Sequence, residues 1–112
     1  LHLSSDEGNK NFLSRNRMKK IKASSFLINT SRGDVIDQEA LTDLLEKKKI
    51  SGAGLDVFLN EPIVPLRLRQ LSNVTLYPHI GSATHESRTK LGMLAVENII
   101  AFFDKQRVIN QL

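Results

Sequence analysis

The sequence predicts an α/β fold in which helices flank a parallel β-sheet. Short apolar runs alternate along the chain with longer segments of helical periodicity, an order typical of parallel strands joined by crossovers. The short runs are almost continuously apolar, as expected for strands that are covered on both faces. A chain of 112 residues with 40% hydrophobic and 25% charged residues has the size and composition of one globular domain.

Four segments are predicted to be buried strands. The run Phe26-Leu27-Ile28 is too short for a helix and long enough for a strand. Pro78 has no N–H for a ladder and is expected to end the last strand. The four predicted strands are Leu1–Leu3, Ala23–Asn29, Gly52–Phe58 and Val74–Tyr77.

Helical periodicity is modest over residues 11–19 and clear over residues 38–49, where Asp37 is the predicted N-cap. We expect Lys47–Lys49 in the last turn of the second helix, because cations suit the negative end of the helix dipole. Residues 59–72 contain two prolines and several charges and are predicted to form a loop.

A long helix is predicted near the C-terminal end of the sequence. Ser82 or Thr84 is expected to cap it, and it extends to about Phe103. Its apolar residues recur at helical spacing and are expected to share one face. They are Leu91, Leu94, Ala95, Ile99 and Phe102.

Composition excludes several classes of protein. The chain has no cysteine, which excludes disulfides, thiolate catalysis and cysteine-ligated metals. No metal site of another kind is expected, and no apolar run approaches the roughly 18 residues needed to span a bilayer. The net charge of +4 comes from lysines and arginines spread along the chain, so we interpret them as solvated faces and expect no nucleic-acid partner. No signal peptide is visible, and a cytoplasmic location is expected. The first residue is Leu1, which suggests that the sequence starts inside a longer gene product.

Ligands of parallel sheets bind beyond the carboxyl ends of the strands, so the residues after each strand are the candidate site. Arg32, Glu61 and His79 lie in three of these turns, and Asp56 begins one of them. The turns are Ser4–Asp6, Asn29–Gly33, Asp56–Glu61 and Tyr77–Ser82.

Arg32, His79 and Glu61 suit the reduction of a carbonyl that stands beside a carboxylate. Arginine binds a carboxylate through two parallel hydrogen bonds, and histidine donates protons near neutral pH. A carboxylate next to the imidazole stabilises its protonated form. No side chain supplies a hydride, so a nicotinamide is implied. Taken singly, Arg32 could equally cap the next helical segment, and a lone histidine is more often structural.

No glycine-rich loop for a pyrophosphate is found in these residues. Gly52-Ala53-Gly54 begins a G-x-G-x-x pattern, but Val57 occupies the sixth position. The pattern also lies inside a predicted strand and does not open a helix.

Four longer motifs are spread over nearly the whole chain. They are Phe26–Asp37 (FLINTSRGDVID), Gly52–Phe58 (GAGLDVF), Asn60–Pro62 (NEP) and Pro78–Thr84 (PHIGSAT). In this order and spacing they resemble the D-isomer-specific 2-hydroxyacid dehydrogenases. Within that family, Asn73–Leu76 and Pro78–Arg88 are most similar to glyoxylate/hydroxypyruvate reductases.

This resemblance implies the second half of a Rossmann-like dinucleotide-binding domain at residues 1–82. Residues 83–112 would be a long return helix and tail that pack toward a substrate domain. Members are much longer, and the glycine-rich loop belongs to a first half outside these residues. The implied cofactor is NAD or NADP, and a homodimer is expected.

The resemblance also implies roles for individual residues. The catalytic residues would be Arg32, which binds the carboxylate of the 2-oxoacid, His79, the proton donor, and Glu61, its partner. Asp56 would contact the nicotinamide carboxamide. The full set of expected cofactor contacts is Ser4, Thr30, Arg32, Asp56, His79 and Gly81, although most members have a proline-containing loop where this chain has Ser4–Gly8.

Two other functions are compatible with parts of the sequence. A dinucleotide-sensing co-repressor of the same family keeps a similar arginine, glutamate and histidine, so those residues alone do not exclude it. A basic nucleic-acid module would bind DNA in a salt-dependent way, and we favour it least.

Overall fold

The computed structural model describes residues 1–104, 107, 108 and 110. The chain divides into two compact units, Leu1–Ile80 and Gly81–Leu112. The first unit holds a sheet with short helices, and the second holds one long helix. In the part of the chain that is described, no helix combines the length and apolar character needed to cross a membrane.

The sheet of the first unit has three parallel strands in the order β1-β2-β3. They are β1 (Phe26–Asn29), β2 (Gly52–Leu55) and β3 (Val74–Leu76). The predicted α/β class with a parallel sheet is confirmed. Each strand is shorter than predicted. β2 and β3 end earlier, because the ladder ends once Asp56 N has bonded to Asn29 O and Tyr77 N to Leu55 O. β1 begins later, at Phe26, because the residues before it form a turn in which Ser25 N bonds to Lys22 O.

The prediction of a strand at Leu1–Leu3 is wrong. The N-terminal ammonium of Leu1 donates a hydrogen bond to Ile28 O at 2.6 Å. A strand would need several such backbone hydrogen bonds to its neighbour. Leu1 and Leu3 pack against the core as partly buried side chains. The polar turn that starts at Ser4 leads the chain away before further pairing can form.

The first helix, α1 (Arg15–Met18), is shorter than the predicted segment 11–19. Leu13 forms a parallel bridge with Ile36, and its N–H and carbonyl bond to Val35 and Asp37, so it cannot join the helix.

The second helix, α2 (Gln38–Glu46), begins as predicted, since the Asp37 side chain accepts a hydrogen bond from Ala40 N at 2.9 Å. It ends earlier than predicted, and Lys47–Lys49 follow its last turn. Lys48 has a left-handed backbone with φ 49°, which is incompatible with continuing the helix.

A single helical turn, α3 (Leu66–Arg69), lies within the predicted loop 59–72. Four residues are too few to show periodicity, but Leu68 is fully buried. The long helix of the second unit is α4 (His85–Phe103), and Thr84 caps it by accepting from Ser87 N at 3.1 Å. No residue of α4 is buried, so its predicted apolar face, with Leu91 and Ile99, remains exposed.

The core of the first unit lies between α2 and one face of the sheet. Leu41 and Leu45 of α2 pack there with Leu55, Met18 and Leu68. The opposite face is open within this unit, contrary to the expectation that both faces are covered. Phe26 and Ile28 are 71% and 54% exposed on it.

Candidate active site

The carboxyl ends of the three strands bring three segments to one edge of the sheet. β1 leads into Arg32 and a 3-10 turn at Gly33–Val35, and β2 leads into Asp56 and the turn that carries Glu61. β3 leads through Tyr77 and Pro78 to His79. Parallel pairing in register therefore gathers side chains that are far apart in sequence.

A cavity of about 430 Å³ lies at this edge. All three residues predicted to be catalytic line it. Its lining consists of Ser5, Arg32, Gly33, Asp34, Phe58, Leu59, Glu61 and His79.

His79 and Glu61 form a close pair in this cavity, with Nδ1 2.7 Å from Oε2. The other carboxylate oxygen of Glu61, Oε1, accepts a hydrogen bond from Phe58 N at 2.9 Å. The carboxylate is thus held by the backbone on one side and faces the imidazole on the other. The pair is half-buried, with 45% of the His79 side chain and 34% of the Glu61 side chain exposed.

The pKa of Glu61 is lowered from its ordinary value. The largest cause is the hydrogen bond with His79, and the Phe58 amide and the charge of Arg32 act in the same direction. Partial burial opposes them. Glu61 is therefore ionised at neutral pH, and its negative charge faces the imidazole of His79.

The backbone of His79 is left-handed, with φ 55°. This conformation is uncommon for a residue other than glycine and is typical of functional sites. The buried carboxylate of Asp56 accepts a hydrogen bond from the next amide, Ile80 N, at 2.8 Å. Asp56 thereby fixes the peptide that follows the strained residue.

Gly33 allows the Arg32 loop to touch the Glu61 turn. A Cβ atom at Gly33 would lie 2.1 Å from the carbonyl carbon of Phe58 and 2.5 Å from Leu59 N. Both are backbone atoms that cannot rotate away. Only glycine permits this contact between the Arg32 loop and the Glu61 turn.

The predicted cofactor residues fall into two neighbouring groups. Ser4 and Arg32 line a cavity of about 450 Å³, together with Ser5 and Ser31. Thr30 and Asp56 line a groove of about 470 Å³ on the open face of the sheet.

Gly81, another predicted contact, is the first residue of the second unit. Ser4 has polar partners of its own, since its Oγ donates to Asp6 Oδ2 at 2.6 Å.

Two residues at the edge make contacts that the sequence analysis does not predict. Ser5 lines both cavities beside Arg32, and its Oγ donates to Asp34 Oδ2 at 2.5 Å. Gln38 accepts from Leu59 N at 3.1 Å and so ties α2 to the turn that carries Glu61. Their partners are 29 and 21 residues away, so no local pattern could have predicted either contact.

The sequence profile described as "D-isomer specific 2-hydroxyacid dehydrogenase, NAD binding domain" matches residues 1–81. The chain belongs to this family. Within the residues that are described, no group of three or more histidine, aspartate or glutamate side chains is placed to hold a metal ion.

Curated relatives and solved structures agree with this assignment. Glyoxylate/hydroxypyruvate reductase B of Pectobacterium carotovorum is 51% identical over 90 residues, which cover 80% of this chain and 28% of the relative. Glyoxylate reductase of Korarchaeum cryptofilum is 44% identical over 103 residues, or 91% of this chain and 31% of the relative.

Among solved structures, the NADPH-dependent glyoxylate/hydroxypyruvate reductase of Sinorhizobium meliloti, in complex with NADP and malonate, superposes with a TM-score of 0.93. It is 32% identical, and the match covers 99% of this chain and 35% of that structure. The Rossmann-like fold class is therefore confirmed. The chain spans about three-tenths of the length of the curated relatives that it matches.

Proposed function

We propose that the protein carrying this chain reduces a 2-oxoacid of the glyoxylate/hydroxypyruvate kind to a D-2-hydroxyacid, with NADH or NADPH as reductant. The observation that carries this proposal is the His79–Glu61 pair, 2.7 Å apart, in the same cavity as Arg32. This reduction requires two groups of the protein. One is a cation that binds the carboxylate of the 2-oxoacid, and the other is an acid that protonates its carbonyl oxygen.

Each catalytic residue has one role in the proposed reaction. Arg32 binds the carboxylate of the 2-oxoacid through its guanidinium. His79 donates a proton to the carbonyl oxygen from Nε2, because Nδ1 faces Glu61. Glu61 is the positioning residue that orients the imidazole and places a negative charge beside it.

The residues at this edge fit a nicotinamide dinucleotide. The hydroxyls of Ser4, Ser5 and Ser31 line one cavity beside Arg32 and offer donors and acceptors to a ribose. Thr30 and Asp56 line the adjacent groove, and Asp56 is the acceptor proposed for the carboxamide. When bound, the nicotinamide supplies the hydride. Gly81, Arg32 and His79 complete the proposed set of contacts.

The names of the relatives support the substrate class, since the curated sequences described above are glyoxylate or glyoxylate/hydroxypyruvate reductases. We extend their activity to this protein as part of the proposal. We also propose that residues 1–82 serve the cofactor and that residues 83–112 pack toward a substrate domain.

The proposal is tested with the complete gene product that carries this chain. Steady oxidation of NADH or NADPH on adding glyoxylate or hydroxypyruvate is the expected result. Tight binding of the dinucleotide with no turnover of either acid would favour the co-repressor-like alternative. The 112 residues by themselves are expected to show no turnover, because they contain no glycine-rich loop for the pyrophosphate.

A homodimer in the cytoplasm is the proposed form of the protein. Exposed apolar side chains support the association, notably Phe26 on the open sheet face and Phe102 and Phe103 on α4. Sedimentation velocity at micromolar concentration is expected to give a dimer, and a monomer across that range would contradict this part of the proposal.

A further inference from the structure

Asn29 is a buried polar residue at the last position of β1, and it is only 1% exposed. Its side-chain Oδ1 accepts hydrogen bonds from Ser31 N at 3.2 Å and from Ser31 Oγ at 2.8 Å. Its Nδ2 donates to the carbonyl of Arg32 at 2.9 Å. Both ends of the amide therefore bind the short loop that presents Arg32.

The backbone of Asn29 is held in place by the sheet. Its backbone carbonyl accepts from Asp56 N at 3.0 Å, and its register partner in β2 is Leu55, so it belongs to the sheet. A buried side-chain amide that lost its partners would leave unsatisfied polar atoms in the core. The loop is thus held around Asn29 in one conformation.

That conformation determines where the guanidinium of Arg32 lies. Arg32 has an extended backbone, with φ −143° and ψ 151°, and its Nη1 donates to Ser31 O at 2.7 Å. A bidentate bond to a carboxylate requires the planar fork to face its ligand, and small displacements of such a clamp are costly.

We propose that Asn29 is a positioning residue for Arg32 and sets the affinity for the carboxylate of the substrate. This inference rests on the proposed function, in which Arg32 binds the 2-oxoacid. Asn29 makes no side-chain bond to the His79–Glu61 pair among the contacts described. Its loss should therefore weaken substrate binding and leave proton donation intact.

The test compares Asn29→Leu with Asn73→Leu in the complete gene product. Asn73 is a matched control, because its Nδ2 also donates to a distant carbonyl, Leu45 O at 3.2 Å, but it precedes β3 at the opposite edge of the sheet. Asn73 also lines the groove assigned to the cofactor, so the KM for glyoxylate is measured at saturating NADH or NADPH. Both changes are nearly isosteric and both are expected to lower the melting temperature. Only Asn29→Leu should raise the KM for glyoxylate, by about tenfold, as for a lost set of buried hydrogen bonds.

A pH–rate profile separates positioning from general damage. With Asn29→Leu, the alkaline limb of kcat should stay at its wild-type pH, since His79 and Glu61 are untouched. An unchanged KM in folded Asn29→Leu, or an equal rise in Asn73→Leu, would overturn the inference.

A milder variant keeps the test decisive if Asn29→Leu does not fold. Ser31→Ala removes one of the bonds to Oδ1 and leaves the Arg32 bond in place. It should raise KM about threefold, and an unchanged KM would refute the inference. If the wild-type protein turns over neither glyoxylate nor hydroxypyruvate, the proposed function fails and the inference fails with it. If the wild type is active and the variants keep its KM, the inference alone fails.

Discussion

Oε2 of Glu61 lies 2.7 Å from Nδ1 of His79, while Oε1 of the same carboxylate accepts a hydrogen bond from the backbone amide of Phe58. The glutamate is thus a rigid link between the turn after β2 and the residue that follows β3. It fixes the ring orientation of His79 and places a negative charge against the imidazole.

Glu61→Gln should move the alkaline limb of the pH–rate profile to lower pH. The substitution keeps the shape of the side chain and removes the negative charge that faces the imidazole. The measurement is kcat for 2-oxoacid reduction across the pH range in the complete gene product. Glu7→Gln, on the exposed Ser4–Asn9 turn, is the control and should leave the profile in place.

The lowered pKa of Glu61 makes the stability of the folded protein depend on pH. Because folding lowers the pKa of Glu61, its contribution to stability is complete above the ordinary glutamate pKa. It is lost as the pH falls through the lowered value. Urea unfolding of Glu61→Gln should accordingly show a weaker acid dependence than the wild type in that range, and an identical dependence would argue against the hydrogen bond.

Arg32→Lys should raise the KM for the 2-oxoacid by about tenfold or more, with a smaller effect on kcat. An ammonium presents one point charge where the guanidinium offers a planar fork. Steady-state kinetics at saturating cofactor give the two constants. Arg17→Lys, remote from the cavity and bonded to Phe12 O, serves as the control. A wild-type KM for Arg32→Lys would show that Arg32 does not bind the carboxylate of the 2-oxoacid.

Gly33→Ala should destabilise the protein by about 1–3 kcal/mol, because the new methyl group would overlap the backbone of Phe58. It should also lower kcat, since the turn that carries Glu61 must shift. Gly92→Ala is the matched control: nothing lies within 4 Å of a Cβ there, and alanine suits the interior of α4. Equal melting temperatures for the two variants would contradict the close contact.

Leu68→Ala should cost about 2–5 kcal/mol of unfolding free energy, as for other large-to-small core changes. Leu68 is fully buried in α3, whereas Leu66 in the same helical turn is 58% exposed. Chemical denaturation of both variants is the measurement, and Leu66→Ala should stay near the wild type. Similar losses at the two positions would mean that α3 is not anchored by Leu68.

Much of the framework could be predicted because its signals are local. The strand cores, the Asp37 and Thr84 caps and the residues that follow each strand are all marked by short-range patterns. The convergence of Arg32, Glu61 and His79 follows from parallel topology alone, which sends every strand end to one edge.

The features that sequence could not reveal depend on distant contacts. Leu13 leaves its helical segment because it pairs with Ile36, and α3 forms because Leu68 finds a place in the core. The sequence predicts Asn29 only as the last residue of a strand, because its contacts with the Arg32 loop depend on burial and on a loop that folds back around it.

The proposed role of His79 as proton donor in 2-oxoacid reduction is best examined through the kcat of His79→Ala. The measurement is steady-state oxidation of NADH or NADPH by the complete gene product with saturating glyoxylate. His79→Ala should lower kcat by about a hundredfold or more, as expected for a lost general acid, and should change KM far less. A kcat close to that of the wild type would contradict the account.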